Sequence, residues 1–374
     1  MDLGLNETQQ MLRNSAREFL QAECPDTYVR EMEEDERGYT PEMWQKVAEQ
    51  GWLGLIFPEE YGGVGLSYLD LSVLLEETGR ALLPGPFFST VVMGGMAVMD
   101  AGSEEQKQEL LPQISEGQLI VTLALTEPSA RWDAEGVQTT ATQSGDGWVL
   151  NGVKLFVPNA HVSDTYVVAA RTGDGDKDIT LFLVPRGTDG VSHTLLKTIA
   201  SDRQSELVFE NASVPASAVL GEVNAGWDTI EKVLAWGAIG KCAEMVGGAE
   251  QVLDMTVEYA KQRTQFGRPI GSFQAIQHHC ANMATDVEGS RYITYQAAWR
   301  LSEGDDATQE VAMAKAWVSD AYRRICALGH QCHGAIGFTK EHNMQLYSRR
   351  AKAAELAFGD TDFHLETVAE GIGL

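Results

Sequence analysis

The sequence is poor in cysteine and has no long hydrophobic run. Its five cysteines are an odd number among 374 residues, and no two of them form a CxxC pair. We therefore expect neither a disulfide framework nor a zinc ribbon, and a reducing cytoplasm is the compartment that fits. No apolar run reaches the roughly 18 residues that a membrane span needs. The N-terminal MDLGLNETQQ lacks the basic and apolar regions of a secretory signal.

Positive charge is also scarce. Lysine and arginine together number 28 against 54 aspartates and glutamates, so the formal net charge is −26. Nucleic acids and anionic lipid surfaces bind positively charged protein surfaces, so we expect no nucleic-acid partner and no membrane partner. The remaining composition, 44% hydrophobic and 22% charged, is that of an ordinary globular protein.

Several motifs that would identify an enzyme class are missing. The sequence has no P-loop, no GxSxG and no GxGxxG that follows a strand. Hydrolase and Rossmann-type functions therefore have little support. His330 and His333 have HxxH spacing, but no nearby carboxylate completes a metal site, so we predict structural histidines and no metal.

The residue pattern changes twice along the chain and predicts three domains. Residues 1–120 show helical spacing of apolar residues. Residues 121–225 contain short β-branched segments between Gly- and Asp-rich turns, which favours an antiparallel β sandwich or barrel. Residues 226–374 contain long helices typical of a four-helix bundle. The predicted class is α+β: an N-terminal α-helical domain, a middle antiparallel β domain and a C-terminal bundle. The expected helix caps are Asn6, Thr40, Ser67 and Ser103.

One stretch, YAKQRTQFGRPIGSFQAIQHHCANM at 259–283, combines several unusual features. Arg263 lies near the end of one predicted helix, and a glycine and a proline then break it. Ser272 is expected to cap the next helix, with Gln274 in its first turn. Free N–H groups at a helix start, beside a guanidinium, favour a diphosphate site. An ordinary corner between two helices explains the same residues equally well.

This stretch resembles the acyl-CoA dehydrogenases, whose motif Tyr-x-x-x-Arg-x-x-Phe-Gly-x-Pro-Ile-x-x-Phe-Gln is present from Tyr259 to Gln274. Two further segments are similar to that family. They are Leu125-Thr126-Glu127-Pro128 and Gln331-x-x-Gly334-x-x-Gly337-Phe338. The predicted order of helices, β domain and helices is similar too, so the resemblance covers nearly the whole chain.

The resemblance implies FAD bound between the subunits of a tetramer. Arg263 would neutralise the FAD diphosphate, and Gln274 and Gln331 would hydrogen-bond the adenosine side. Phe266 and Gly334 belong to the same set, which in this family reaches an FAD held mainly by the neighbouring subunit. All five positions carry the family's residue type.

The positions that would hold the flavin ring within the chain have changed. The resemblance implies FAD contacts from Thr126, Phe156 and Thr361. The family's Gly-Ser-Asp after Thr-Glu-Pro is replaced by a segment containing Trp132, so an indole takes the place of a hydroxyl. The family's Trp-Ile-Thr-Asn strand has Pro158 in place of threonine, which removes a hydroxyl and a backbone N–H.

The catalytic base departs most from the family pattern. Dehydrogenation removes the α proton of an acyl thioester, which needs a positioned carboxylate. The two family positions for this glutamate fall on Gly359 and Gly237, and Asp360 follows the first. In one explanation, Asp360 is the base of a self-sufficient homotetramer. In the other, which we favour, the chain is the non-catalytic subunit of an α2β2 tetramer whose partner supplies the glutamate.

The second explanation rests on an asymmetry in the sequence. The neighbour-facing FAD positions are kept, while the chain's own ring and base positions have changed. The segments 337–342 and 346–351 also look like bacterial members that pair as α2β2 tetramers and act on bulky thioesters such as steroid side chains. The predicted function is FAD-dependent α,β-dehydrogenation of an acyl-CoA, with electrons passing to an electron-transfer flavoprotein. A non-enzymatic scaffold of the same fold is the alternative from another functional class.

Overall fold

The computed structural model describes residues 4–374, which form two compact units. The helical unit comprises residues 4–30, Ser67–Leu83 and Ala238–Leu374, and the sheet unit comprises Glu31–Leu66 and Pro84–Gly237. Along the chain the order is helices, then strands, then helices, so the predicted fold class is confirmed. The domain boundaries at 120 and 225 stay predictions.

The helix starts follow local capping chemistry. The side chains of Asn6, Ser67 and Ser103 each accept a hydrogen bond from the backbone N–H three residues on, in reciprocal capping boxes, as predicted. None of the helices described here is both long and apolar enough to cross a membrane. The helices are α1 (Glu7–Glu23), α2 (Asp26–Glu34), α3 (Pro41–Glu49), α4 (Tyr68–Ala81), α5 (Met96–Ala101), α6 (Glu104–Ser115), α7 (Gly226–Gln262), α8 (Gln274–Ser302), α9 (Thr308–His333), α10 (Met344–Leu356) and α11 (Thr361–Gly371).

The strands of the sheet unit form one sheet in the order β6-β7-β3-β2-β4-β5-β8, with β1 beside β4. Most neighbours are antiparallel, while β1 and β2 each pair with β4 in parallel. A short ladder in the helical unit joins β9 and β10. The strands are β1 (Val121–Ala124), β2 (Thr140–Ser144), β3 (Gly147–Pro158), β4 (Thr165–Arg171), β5 (Ile179–Pro185), β6 (Val191–Leu196), β7 (Gln204–Pro215), β8 (Val219–Leu220), β9 (Thr264–Gln265) and β10 (Arg268–Pro269).

The sequence pattern does not predict β6 or the two-residue strands β8, β9 and β10, and β2 starts later than its β-branched run. The pattern did not predict β6, because most of its side chains are exposed and it has no buried face. The β-branched run in the sequence starts at Val137, but β2 begins only at Thr140. The backbone N–H groups of Gln138 and Thr139 donate to the carboxylate of Glu127 instead of to a neighbouring strand. A side-chain acceptor therefore delays the strand by competing for these donors.

The sheet unit has a core of large side chains between the strands. Tyr166, Phe182 and Phe209 are almost completely buried, and each comes from a different strand. Burying one such side chain contributes about 1.5–3 kcal/mol. This core supports β3 and the segment after β1, which carry Phe156 and Thr126, two of the three ring-side candidates.

The helical unit contains a buried network of charges. Glu76 and Glu77 on α4 are each 1% exposed. Arg291 of α8 contacts Glu76 at 2.9 Å and Glu250 of α7 at 3.0 Å, and Arg17 of α1 contacts Glu77 at 2.6 Å. Burial raises the pKa of Glu76, although the Arg291 guanidinium opposes this shift. The network thus joins four helices, and each buried charge in it is compensated by a partner of opposite sign.

We predict that replacing Arg291 with methionine destabilises the protein by about 3–5 kcal/mol, because the buried Glu76 carboxylate loses its counter-charge. Urea unfolding measures this loss. Arg324→Met is the matched control, since Arg324 is 43% exposed in its pair with Asp286 and such a pair contributes only ~0–1 kcal/mol. Equal losses in the two variants would contradict the role assigned to the buried network.

Candidate active site

The corner that carries Arg263 begins where α7 ends. After Arg263 the chain forms the β9–β10 hairpin and a single 3-10 turn, and α8 starts at Gln274. The predicted cap at Ser272 is wrong: its hydroxyl donates to the carbonyl of Pro269 at 2.7 Å. Phe273 occupies the cap position, and no side chain caps α8 there. The amide groups at this helix start therefore have no competing side-chain acceptor.

The five neighbour-facing candidates all lie on the surface of the helical unit. The Phe266 side chain is 92% exposed at the hairpin tip. Arg263, Gln274, Gln331 and Gly334 are exposed as well. A single exposed aromatic is common on protein surfaces, so the exposure of Phe266 does not by itself indicate a ligand site.

The structure brings the first and third motifs together. Tyr259, one helical turn before Arg263, stacks on His333 with ring centroids 4.6 Å apart. His333 is buried, and its Nδ1 lies 2.8 Å from the carbonyl oxygen of Gly329, as expected for a structural histidine. This contact places Gln331 and Gly334 near the end of α7. The sequence separation of the motifs gave no indication of this packing.

On the ring side, a buried ion pair ties two segments of the sheet unit together. Lys154 Nζ lies 2.6 Å from Glu127 Oε1, with side chains 0% and 4% exposed. The same ammonium donates to the carbonyl of Leu125 at 3.2 Å. The backbone N–H of Leu155 donates to the carbonyl of Thr126 at 2.8 Å. These contacts hold the segment that contains Thr126 against β3.

Both members of this pair are charged near neutral pH. Burial lowers the pKa of Lys154 to about 8, and the Glu127 carboxylate opposes that shift. Burial acts to raise the pKa of Glu127, but the Lys154 ammonium and two backbone N–H donors hold it below its usual value. The sequence analysis missed Lys154. Its signal was the one charged residue of β3, a strand whose other side chains are apolar except for Asn151, since an unpaired buried charge would be costly.

The changed ring-side positions offer fewer donors. Phe156 has a 51% exposed side chain and a left-handed backbone with φ 54°. Pro158 has no N–H, and its carbonyl already accepts from the Thr122 hydroxyl at 2.8 Å. The loss of hydrogen-bonding capacity read from the sequence at Pro158 is thus present in the structure.

The turn at Asp360 lies between α10 and α11. α10 ends at Leu356 because Ala357 is extended, and Phe358 and Gly359 then adopt left-handed φ values of 58° and 90°. Asp360 caps α11, and its Oδ1 accepts from the Phe363 N–H at 3.0 Å. Thr361 is the first residue of α11, and its hydroxyl donates to Asp320 at 3.4 Å.

A buried lysine of α9 holds this turn. Lys315 Nζ donates to the hydroxyl of Ser319 at 3.1 Å, to the carbonyl of Glu355 at 2.9 Å and to the carbonyl of Gly359 at 2.8 Å. All three ammonium protons are used. Burial lowers the pKa of Lys315 to about 8. The sequence pattern did not single out this residue, because α9 also carries Glu310, Asp320, Arg323 and Arg324, and Lys315 does not stand out among them.

Comparison with known proteins identifies the family. Models of the acyl-CoA dehydrogenase N-terminal, middle and C-terminal domains match residues 6–118, 122–212 and 224–373. The chain belongs to the acyl-CoA dehydrogenase family. The caffeyl-CoA reductase-Etf complex subunit CarC of Acetobacterium woodii is 34% identical over 349 residues, which are 91% of each chain.

Two solved structures are similar to this chain over nearly their full length. Butyryl-CoA dehydrogenase from Megasphaera elsdenii superposes with a TM-score of 0.92 at 31% identity, covering 100% of both chains. A chain of the ChsE4-ChsE5 complex from Mycobacterium tuberculosis gives 0.91 at 31% identity, covering 100% of this chain and 99% of that one. The protein is therefore an enzyme of a family of FAD flavoproteins.

The residues present fit FAD. In the helical unit, one guanidinium and two side-chain amides suit a diphosphate and an adenosine. Gly267 and Gly334 have left-handed backbones with open space where a Cβ would stand, so a ligand can approach the chain closely. In the sheet unit, Thr126 offers a hydroxyl and Phe156 an exposed ring. Taken separately, the residues of the helical unit offer more groups to a dinucleotide than the residues of the sheet unit offer to a flavin ring.

We predict that Lys154→Met destabilises the protein by about 3–5 kcal/mol, because Glu127 then stays buried without its counter-charge. The double variant Lys154→Met/Glu127→Gln should recover part of this loss, since a neutral amide needs no counter-ion. Urea unfolding of both variants is the measurement. Lys177→Met, in an exposed pair with Glu231, is the control. A double variant less stable than Lys154→Met would contradict the assigned pairing.

Proposed function

We propose that this chain catalyses the FAD-dependent α,β-dehydrogenation of a short-chain acyl-CoA thioester as a homotetramer. The observation that carries the proposal is the end-to-end similarity to the butyryl-CoA dehydrogenase of Megasphaera elsdenii, with a TM-score of 0.92. A short acyl group replaces the steroid side chain expected from the sequence, and a homotetramer replaces the α2β2 assembly. The five free cysteines support a reducing compartment, the cytoplasm.

In this proposal, bound FAD supplies the hydride acceptor. The chain's own residues bind and orient the substrate and the cofactor, and one of them removes the α proton of the substrate. Arg263 offsets the charge of the diphosphate, and Gln274 and Gln331 donate to the adenosine end. All three side chains lie on the exposed surface of the helical unit. In this proposal they contact the cofactor of an adjacent subunit. An electron-transfer flavoprotein is the proposed electron acceptor, supported by the similarity to a subunit of an Etf complex.

Asp360 is the proposed base. It is the carboxylate nearest in sequence to Gly359, where the family resemblance places a glutamate. One oxygen accepts from the N–H of Phe363, which fixes the orientation of the side chain. The second oxygen would take the α proton of the thioester while the β hydride leaves. A positioned general base contributes roughly 10²- to 10⁴-fold to the rate.

We predict that the chain purified alone is a yellow tetramer with one FAD per subunit that oxidises butyryl-CoA. Asp360→Asn should lower kcat by at least ~100-fold while FAD content is unchanged. The control is Asp362→Asn, an exposed carboxylate in the same turn of α11, which should leave kcat unchanged. Turnover with an artificial electron acceptor and light scattering provide the measurements. Full activity of Asp360→Asn would refute its role as base.

A second candidate is the non-catalytic subunit of a mixed tetramer. The specific observation in its favour is that neither Gly359 nor Gly237 carries a carboxylate, and that Pro158 offers the flavin ring no donor. The similarity to a chain of the two-protein ChsE4-ChsE5 complex is compatible with this reading. Its partner would be a second acyl-CoA dehydrogenase that carries the glutamate.

The two candidates predict opposite results for the isolated chain. A non-catalytic subunit should purify without FAD or turnover, and should gain both on co-expression with a glutamate-bearing acyl-CoA dehydrogenase. In that complex, Arg263→Met should lower FAD content, because its guanidinium would face the partner's cofactor, whereas Asp360→Asn should have no effect. Full flavin and turnover in the isolated chain would rule this candidate out.

A further inference from the structure

Gly359 has no side chain, and the space that one would occupy is already filled by neighbouring residues. A Cβ built on Gly359 would lie 2.4 Å from Cδ1 and 3.0 Å from Cε1 of the Phe363 ring. It would also lie 3.0 Å from Nε2 of His364. Contacts this short do not occur between packed carbon atoms, whose optimal separation is about 3.5–4.0 Å. The first turn of α11 therefore covers Gly359 directly.

The turn cannot easily shift to relieve this crowding. Lys315 holds the carbonyl of Gly359, and His364 Nε2 lies 2.8 Å from the carbonyl of Phe358. A carbonyl only accepts, so Nε2 of His364 carries the proton. Burial lowers the pKa of His364 to about 4, which keeps the imidazole neutral near neutral pH. Two consecutive carbonyls are thus held by two buried donors.

The backbone also disfavours a side chain at 359. Gly359 has a φ of 90°, a left-handed value at which a residue with a Cβ is strained. A glutamate there would need a different backbone as well as a displaced ring. The residue that follows, Asp360, has an extended backbone with φ −85° and carries its carboxylate at the start of α11 without strain.

We propose that Phe363 is the positioning residue that determines where this chain removes the substrate proton. Its ring fills the place of a side chain at 359, and its N–H anchors the carboxylate of Asp360, which acts as the base in place of the missing glutamate. The inference rests on the proposed dehydrogenase function. The α C–H bond breaks and its proton goes to Asp360. The β hydride leaves with its electron pair to the FAD cofactor, and a C=C bond forms.

A double-mutant cycle tests the packing half of the proposal without any need for activity. Gly359→Ala should lower the melting temperature more in the presence of Phe363 than in a Phe363→Ala background, because removing the ring leaves only the backbone strain. Leu365→Ala, on the exposed side of the same helix, is the matched background and should give no relief. An equal drop in all three backgrounds would overturn this half.

Rescue of a base-deficient enzyme tests the catalytic half. The readout is exchange of the α hydrogen of butyryl-CoA with deuterated water, which reports proton removal separately from the redox step. Asp360→Asn should lose at least ~100-fold in exchange. Adding Gly359→Glu should restore little while Phe363 is present, and at least ten-fold more when Phe363→Ala is added.

Three outcomes are separable. Full rescue by Gly359→Glu with Phe363 in place would refute the positioning role. Normal exchange in Asp360→Asn would refute the displaced base. A wild-type chain that neither exchanges nor turns over butyryl-CoA would refute the proposed function and, with it, the catalytic half, while the melting cycle would still decide the packing half. Melting curves for every variant identify any that fail to fold.

Discussion

The Lys315 ammonium is the interaction on which the candidate base depends. It lies inside the helical unit and donates to carbonyls at both ends of the turn between α10 and α11. Without these bonds, the carbonyls of Glu355 and Gly359 would lose their buried ammonium donor, while the carbonyl of Phe358 is held by His364. A buried charge that satisfies several acceptors at once holds a strained turn in one conformation.

The same principle recurs in the sheet unit. The Lys154 and Glu127 side chains are buried beneath the segment that carries Thr126, and together they bind a carbonyl and two backbone N–H groups. Charges so placed are costly to remove one at a time, because the remaining partner stays buried and unpaired. The Lys154–Glu127 pair can therefore persist although neighbouring positions in the sequence, such as Trp132 and Pro158, depart from the family pattern.

The neighbour-facing cofactor-binding candidates of the helical unit are exposed, unlike the two buried lysines. Arg263, Gln274 and Gln331 are exposed and are not committed to a buried network within the unit. These exposed cationic and amide groups, and the 92% exposed Phe266 of the same unit, suit a binding site that another subunit completes. The chain therefore combines rigid internal supports with an open outer surface, which is compatible with a cofactor shared across an assembly.

Local chemistry in the sequence determined much of the fold. The caps at Asn6, Ser67 and Ser103 involve residues three positions apart, so a short window contains all the atoms that matter. The change from helical to strand spacing separated the β region, and the order of residue types at 259–274 identified the family. The β6 strand was missed because it has no buried face, and the Ser272 cap was wrong because a 3-10 turn intervenes.

Tertiary structure alone decided the packing around Asp360, the proposed base. Gly359 and Phe363 are neighbours in sequence, yet their contact depends on left-handed backbone angles that Lys315 stabilises from 44 residues away. Lys154 and Glu127 are likewise 27 residues apart. A sequence shows which residues can be charged or bulky, but burial and pairing arise only when distant segments pack. For this reason the missing glutamate could be seen in the sequence, and the ring that covers its place could not.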